Sequence, residues 1–312
     1  MKDISILCAS LMAGPGVKNG FTDAVEAEFT GGYYTLHPGN KQFNSELIRM
    51  VDTHKPTIVF LQIQQQGIIL EEVAKYISQK AFVINFSGDI RRQTEGWYYE
   101  IGKLIQLTCF SNMRDVINLK NLGCNSKFLE IGVDEEIYKP YDVPKMHDIV
   151  FHGNDYGDQF PLGQYRRDIV TALKKEFGQD FAVFGNFPGA QGDFNSSQIE
   201  EAKNYCRAKI AINCSNFKEA SYTSDRMLRI MSTAVPMCLS HNFPGLQDRF
   251  RPGYNMAMFD DIPELIETCY HYLREYKDIP LLAGRGRELM LEKYTFKKMA
   301  ENIKKLYLNY EQ

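Results

Sequence analysis

The stretch His147-Asp148-Ile149-Val150-Phe151-His152-Gly153-Asn154 decides the fold. Its apolar run has the length of a buried strand, and the glycine after it is typical of a turn at the carboxyl end of that strand. A helical pattern over 164–177 and a second apolar run over 181–185 follow. A strand, a helix and a strand in this order predict a βαβ unit with two parallel strands.

The same alternation continues on both sides of this unit. Further strands are predicted over 4–9, 57–63, 81–86, 105–110, 128–131, 208–213 and 235–240. Helices are predicted over 44–54, 70–78, 112–122, 225–233 and 261–276, after Ser197, and from 295 onward. The segment 132–144 carries two prolines and breaks both periodicities, so it predicts a linker between two Rossmann-like halves. Ligands of such sheets bind outside the carboxyl ends of the strands, and we expect the site in a cleft between the halves.

Composition excludes several classes of protein. The 312 residues are 44% hydrophobic and 24% charged, with a formal net charge of −3. These values are ordinary for a globular chain, and they disfavour disorder and a strongly basic coat for nucleic acid. No apolar run approaches about 18 residues, and the N-terminus lacks the features of a signal peptide. The sequence therefore predicts no membrane span.

Cysteine and histidine usage gives an expectation about compartment and metals. The seven cysteines form no Cys-x-x-Cys pair and lie mostly in apolar runs, which favours buried thiols in a reducing, cytoplasmic setting. The six histidines show no close grouping with cysteine, so we expect no structural zinc site.

Two segments suit an anion. The loop after the first strand contains Gly14 and Gly16, which let backbone N–H groups approach a ligand, although an ordinary turn explains them equally well. In Thr223-Ser224-Asp225-Arg226 a good N-cap precedes an arginine in the first turn, where a cation opposes the helix dipole unless an anion binds there. The alternative is a surface pair between Asp225 and Arg229 with a solvated Arg226.

The segment after the predicted strand 81–86 offers further candidates for catalysis and ligand binding. Asp89 lies at the carboxyl end of that strand, where a carboxylate suits a general base, although a turn-forming aspartate is the commoner role. The run Arg91-Arg92 and the following Trp97-Tyr98-Tyr99 combine cations with aromatic rings that can stack on a sugar or a base. The alternative is that these aromatic residues belong to the core.

The order and spacing of these segments resemble the GT-B glycosyltransferases, and most of all a family-4-like, CgeB-like (spore maturation protein-like) branch. The resemblance rests on the 147–154 strand and turn, Tyr165-Arg166-Arg167, Phe184-Gly185, the Thr223–Arg226 segment and the ending with Gly286-Arg287 and Tyr294-Thr295-Phe296. It implies an acceptor domain over 1–140, a nucleotide-sugar donor domain over 141–294 and a C-terminal helix over 295–312 that returns to the first domain.

The resemblance also implies a function and its site. It implies a hexosyl- or pentosyltransferase that moves a sugar from a nucleotide-sugar to a hydroxyl acceptor, without a metal or other cofactor. The donor-binding residues it implies are Gly14, Gly16, Gly153, Asn154, Gly185, Asn186, Thr223, Ser224, Arg226 and Arg229, and the acceptor-side candidates are Asp89, Arg91 and Trp97.

The chain departs from the family pattern in one respect that bears on the donor. Ser221 and Arg229 stand where the family places the two glutamates of a Glu-x7-Glu pattern, and Ala234 replaces the usual glycine. The acceptor class stays open among glycan, protein, lipid-linked glycan, small molecule and hydroxymethylated phage-type DNA. The alternative functions are a nucleotide-sugar epimerase of the same shape and a non-enzymatic two-domain binding protein. An NAD(P)-dependent oxidoreductase is disfavoured because no Gly-x-Gly-x-x-Gly motif is present.

Overall fold

The computed structural model describes residues 3–13, 19–192 and 197–311. The chain divides into two compact units, one of Met1–Gly132 with Phe296–Gln312 and the other of Val133–Thr295. The division after Gly132 comes earlier than the predicted boundary at 140/141. The physical reason is Tyr138, which is buried in the second unit and donates a hydrogen bond to Glu201 there at 2.8 Å.

Unit 1 contains a six-stranded parallel sheet in the order β2-β1-β3-β4-β5-β6. Its strands are β1 (Ile6–Ala9), β2 (Tyr33–Leu36), β3 (Ile58–Leu61), β4 (Phe82–Ser87), β5 (Leu107–Phe110) and β6 (Ser126–Phe128). Its helices are α1 (Gly20–Glu28), α2 (Phe43–His54), α3 (Glu71–Ser78), α4 (Gly96–Gly102), α5 (Met113–Asn121) and α12 (Phe296–Leu308).

The last helix completes unit 1. Met299, Ala300 and Ile303 of α12 are buried together with Phe21 and Val25 of α1. Their spacing of one, three and four residues places them on one face of the helix, which explains why this terminal segment packs on α1.

Four elements of unit 1 differ from the sequence predictions. The sequence did not predict β2, α1 or α4, and β6 begins at Ser126 rather than at 128. Only Leu36 of β2 is buried, because this strand lies at the edge of the sheet and pairs with β1 alone. Four residues with one buried side chain give too short a pattern to predict a strand.

Unit 2 contains a five-stranded parallel sheet in the order β11-β10-β9-β7-β8. Its strands are β7 (His147–His152), β8 (Phe181–Phe184), β9 (Ala208–Asn213), β10 (Met237–His241) and β11 (Ala257–Phe259). Its helices are α6 (Gly163–Phe177), α7 (Gln198–Cys206), α8 (Asp225–Thr233), α9 (Leu246–Arg249), α10 (Ile262–Arg274) and α11 (Asp278–Lys293).

Both units therefore have the predicted α/β class with a Rossmann-like parallel sheet. Because parallel strands end at the same edge, the residues after β7, β8 and β9 come together at one edge of the second sheet. Among the described residues, no helix combines the length and apolarity needed to cross a bilayer.

Candidate functional site

The turns after β7 and β8 are held against each other by two glycines. The Gly153 N–H donates to the Phe184 carbonyl at 2.9 Å. Gly185 has φ +128°, and a Cβ on it would overlap the Gly153 carbonyl oxygen. A side chain at Gly185 would therefore be strained in its backbone and would push the two turns apart.

Asn186 fixes the loop that follows Gly153. Its side-chain carbonyl accepts from the Asp155 N–H, and its amide nitrogen donates to the Asp155 carbonyl at 3.0 Å. Asn154 lies beside this pair, with its side-chain oxygen 3.3 Å from the position of a Cβ on Gly185. The structure thus brings together the four residues predicted at these turns and gives Asn186 a role in holding their backbone.

Helix α8 begins with an unusual cap. Ser224 is the N-cap residue, but its hydroxyl donates to Asn213 Oδ1 at 2.8 Å and makes no side-chain cap hydrogen bond. The predicted N-cap position of Ser224 is therefore confirmed, but its hydroxyl does not cap the helix, because Asn213 at the end of β9 accepts it. The hydroxyl of Thr223, which is 1% exposed, has no hydrogen-bond partner among the described residues.

Arg226 extends from the first turn of α8 toward the end of β7. Its Nη1 donates to the Cys214 carbonyl at 3.0 Å, and its Cζ lies 5.3 Å from the centroid of the Phe151 ring. Its Nη2 lies 2.9 Å from the position that a Cβ on Gly153 would occupy. Arg226 is therefore partly exposed, and no acidic side chain pairs with it in any contact the structure shows.

A second guanidinium, that of Arg166 on α6, also lies beside Gly153. Its Nη2 lies 2.8 Å from the position of a Cβ on Gly153, and its Nη1 donates to Asn216. The side chain is only 1% exposed, yet Nε and Nη2 have no partner among the described residues. A buried N–H group without a partner costs about 1–3 kcal/mol, and more when it is charged.

The electrostatics of this corner favour an anion. Burial, and then the charge of Arg226, lower the pKa of Arg166 to about 10, so the Arg166 guanidinium stays charged at neutral pH. Burial lowers the pKa of the neighbouring His152 to about 4, so its ring is neutral. Two positive charges beside a glycine turn form a site that a phosphate or diphosphate group would stabilise.

Arg229 belongs to a different group of side chains. Its Nη2 lies 2.7 Å from Asp225 Oδ2, and its Nη1 lies 3.1 Å from Glu201 Oε2. The buried Glu201 also accepts hydrogen bonds from Tyr138 and Tyr205. The Asp225–Arg229 pair considered from the sequence is thus present, and Arg229 ties α8 to α7 while Arg226 points toward Gly153.

Ser221 shows where the chain departs from the family pattern. It has φ +58°, an uncommon conformation for a residue with a side chain. Its N–H donates to the Pro244 carbonyl at 2.9 Å, and its own carbonyl accepts from Arg249 at 2.8 Å. Such backbone strain is typical of segments whose shape matters for binding.

The acceptor-side candidates Asp89, Arg91 and Trp97 lie in unit 1, and the donor-binding candidates Gly14 and Gly16 fall outside the described residues. Asp89 follows β4, as the sequence predicted, and is exposed. Arg91 and Trp97 line one cavity of about 840 Å³. The Trp97 ring is 8% exposed and stacks on Tyr98 with centroids 3.8 Å apart, so the indole belongs largely to the core.

Sequence reasoning missed Arg166 as a site residue, although the pattern contains a signal for it. Arg166 falls at helical spacing from Ile169, Val170 and Leu173, all of which are buried. An arginine on the apolar face of a helix needs a partner, and a bound anion is one answer.

A comparison with protein families covers this part of the chain. A family model described as glycosyl transferase-like matches residues 166–305, which begin at Arg166 and include α8. No protein with a curated function matches the chain by sequence. Within the described residues, no group of three His, Cys, Asp or Glu side chains is arranged to hold a metal.

Solved structures show the fold. HepE from Anabaena with UDP-glucose superposes with a TM-score of 0.67 at 10% identity, covering 97% of this chain and 99% of that one. Sucrose-phosphate synthase from Thermosynechococcus elongatus superposes with a TM-score of 0.70 at 10% identity, covering 98% of this chain and 99% of that one. A glycosyltransferase from Rickettsia africae superposes with a TM-score of 0.68 at 13% identity, covering 98% of both chains. The predicted GT-B fold is thereby confirmed, and the CgeB-like branch stays a prediction.

The arginine pair leads to a prediction about stability. Arg166→Met removes a buried charge and its two unpartnered N–H groups while keeping most of the apolar contact area. We expect the melting temperature without ligand to stay the same or rise, because the repulsion from Arg226 disappears. Stabilisation by inorganic pyrophosphate, which adds about 2.7 kcal/mol at one hundred times its Kd, should largely disappear. Differential scanning fluorimetry with and without pyrophosphate measures both effects.

Arg167→Met is the matched control. Arg167 lies next to Arg166 on α6, but it pairs with Asp155 and Asp158 instead of lying beside Gly153. This variant should keep the pyrophosphate response. A large loss of stability in Arg166→Met without ligand, with the pyrophosphate response intact, would show that the Arg166 guanidinium is structural.

Proposed function

We propose that the protein is a glycosyltransferase that moves a sugar from a nucleotide-sugar donor to a hydroxyl acceptor. The single observation that carries the proposal is the convergence of Arg166 and Arg226 on Gly153, with N–H groups of the buried Arg166 left unpaired. A diphosphate supplies the oxygens that these groups lack. The glycosyl transferase-like match over 166–305 and the GT-B fold support the same donor class.

UDP is the first nucleotide to test as part of the donor. HepE from Anabaena, which shares the fold, is solved with UDP and with UDP-glucose. In this chain the nucleobase is proposed to lie at the Gly185-Asn186 turn, and the diphosphate at Gly153, Asn154 and the start of α8. Thr223 supports the second assignment, because its buried hydroxyl has no partner among the described residues.

The proposed chemistry depends on where charge develops. The acceptor oxygen forms a bond to the anomeric carbon while the bond from that carbon to the diphosphate oxygen breaks. The departing diphosphate gains negative charge, and guanidinium groups that are already held in place stabilise it better than water does. The proposal therefore expects turnover without an added divalent cation.

Asp89 is the proposed general base. It follows β4 at the carboxyl edge of the first sheet, and its side chain is exposed. The Ser87 hydroxyl donates to the Asp89 carbonyl at 3.2 Å and itself accepts from the Tyr98 hydroxyl at 2.9 Å. These two hydrogen bonds fix the backbone of the turn. A carboxylate on a fixed turn suits the acceptance of the acceptor's hydroxyl proton.

The donor assignment predicts the effect of Arg226→Ala. The variant loses charge-assisted hydrogen bonds to the diphosphate that contribute about 1.5–3 kcal/mol. We expect the Kd for UDP in isothermal titration calorimetry to rise roughly ten- to a hundredfold.

The control is Arg274→Ala, which removes an exposed cation at the end of α10 in the same unit. It should bind UDP as the wild type does. Equal UDP affinity in Arg226→Ala and the wild type would remove the arginine from the donor site.

The catalytic assignment predicts the effect of Asp89→Asn. The amide has nearly the shape of the carboxylate but takes no proton, so turnover should fall by about 10²–10⁴-fold if the enzyme inverts the anomeric carbon. UDP affinity should not change, because the nucleotide is assigned to unit 2. Nucleoside diphosphate release measures turnover, and NMR of the product gives its anomeric configuration.

A retaining reaction needs no strong base, and the loss in Asp89→Asn should then be smaller and mainly in the acceptor KM. Wild-type kcat and acceptor KM in the variant would exclude Asp89 from the site.

A further inference from the structure

A polar cavity lies at the carboxyl edge of the first sheet. It measures about 840 Å³ and is lined by segments that follow β3 and β4. Four of its side chains are glutamines and two are glutamates, namely Gln64, Gln65, Gln66, Gln93, Glu95 and Glu100. Ligands of parallel sheets bind at this edge.

A second cavity of about 370 Å³ continues from the first. It shares Gln65, Gln66, Trp97 and Glu100 with it, and extends to Glu71 and Glu72 at the start of α3. The shared residues show that the two cavities adjoin, and we call them together the glutamine groove. Their volumes of about 840 and 370 Å³ leave more room than a single sugar ring fills.

The charge of the glutamine groove disfavours anionic ligands. Glu71, Glu72, Glu95 and Glu100 all line it. Arg91 is the one cation among its lining residues, and it is already paired with Glu95 at 3.2 Å while also donating to the Gln64 carbonyl. A phosphate or sulfate group in the groove would face carboxylates without a free cation.

The amide side chains suit hydroxyl groups. Each glutamine side chain offers both a hydrogen-bond donor and an acceptor, as each sugar hydroxyl does. Because the amide is neutral, it needs no charge on the ligand. Trp97 adds an apolar contact at the junction of the two spaces, although its ring is mostly buried. Polar amides with one aromatic edge are a chemistry that recognises uncharged polyhydroxylated chains.

The wall of the groove is held in place before a ligand arrives. The Trp97 Nε1 donates to Glu95 at 2.6 Å, and Arg114 donates to the Arg91 carbonyl. Thr94 donates to the buried carboxylate of Asp115 at 2.5 Å. A fixed wall loses little conformational entropy when it binds.

We propose that the glutamine groove binds an uncharged oligosaccharide of at least two sugar rings as the acceptor. This inference rests on the proposed glycosyltransferase function, and it names the acceptor class that the sequence left open. Asp89 follows β4 just before Arg91 and Gln93, so the proposed base and the groove occupy one continuous segment.

The test begins with binding of the full-length protein to an array of neutral di-, tri- and tetrasaccharides beside sulfated and phosphorylated ones, with hydroxymethylated duplex DNA as a separate probe. Neutral chains of two or more rings should bind. The strongest neutral chain is then measured by calorimetry against the double variant Gln65→Ala/Gln66→Ala. We expect its Kd to rise by about tenfold or more, since two hydrogen-bonding side chains are lost.

Gln79→Ala is the matched control. Gln79 is an exposed glutamine that follows α3, at the edge where β4 begins, and its change should leave the Kd unaltered. UDP titration of each variant separates this inference from the proposed function, because UDP should bind all of them equally.

Three results would overturn the inference while UDP still binds: signal only from sulfated or phosphorylated glycans or from the DNA probe, no signal from any uncharged oligosaccharide, or an unchanged Kd in the double variant. Failure of UDP, ADP and GDP to bind the wild type would instead contradict the proposed function.

Discussion

Two guanidinium groups that converge on Gly153, that of the buried Arg166 and that of the partly exposed Arg226, are the constraint on which the second unit depends. Arg166 and Arg226 come from different helices and repel each other, and at least two N–H groups of Arg166 lack a partner. Folding alone does not explain why two like charges lie together beside Gly153, because removing a charge from water costs several kcal/mol. Binding of an anion explains it, since it replaces repulsion with charge-assisted hydrogen bonds.

The surrounding structure is arranged to keep that corner open. A Cβ on Gly153 would contact both guanidinium groups, and a Cβ on Gly185 would overlap the Gly153 carbonyl. Ser224 gives its hydroxyl to Asn213 rather than to its own helix, so the end of β9 fixes the start of α8. Sheet edge, turn and helix end thus hold Arg226 at a fixed place.

Much of this was predictable from the sequence, for reasons that concern particular residues. The apolar run before Gly153 predicted the strand and the turn that the structure contains, because this pattern is local, and the cation after Ser224 predicted an anion at the start of α8 that stays a prediction. The edge strand Tyr33–Leu36 and the cap of α8 were not predictable, because pairing with β1 and with Asn213 is decided by residues distant in sequence. Arg166 lay on an apolar helical face, but only the fold shows that it meets Arg226.

The most direct measurement compares the nucleoside with its diphosphate in calorimetry on the wild-type protein, using uridine and UDP, and the adenine and guanine pairs if uracil does not bind. We predict that the diphosphate binds at least about a hundredfold more tightly than the nucleoside, because two charge-assisted contacts contribute about 1.5–3 kcal/mol each. Equal affinities for nucleoside and diphosphate would show that the arginine pair does not bind the diphosphate.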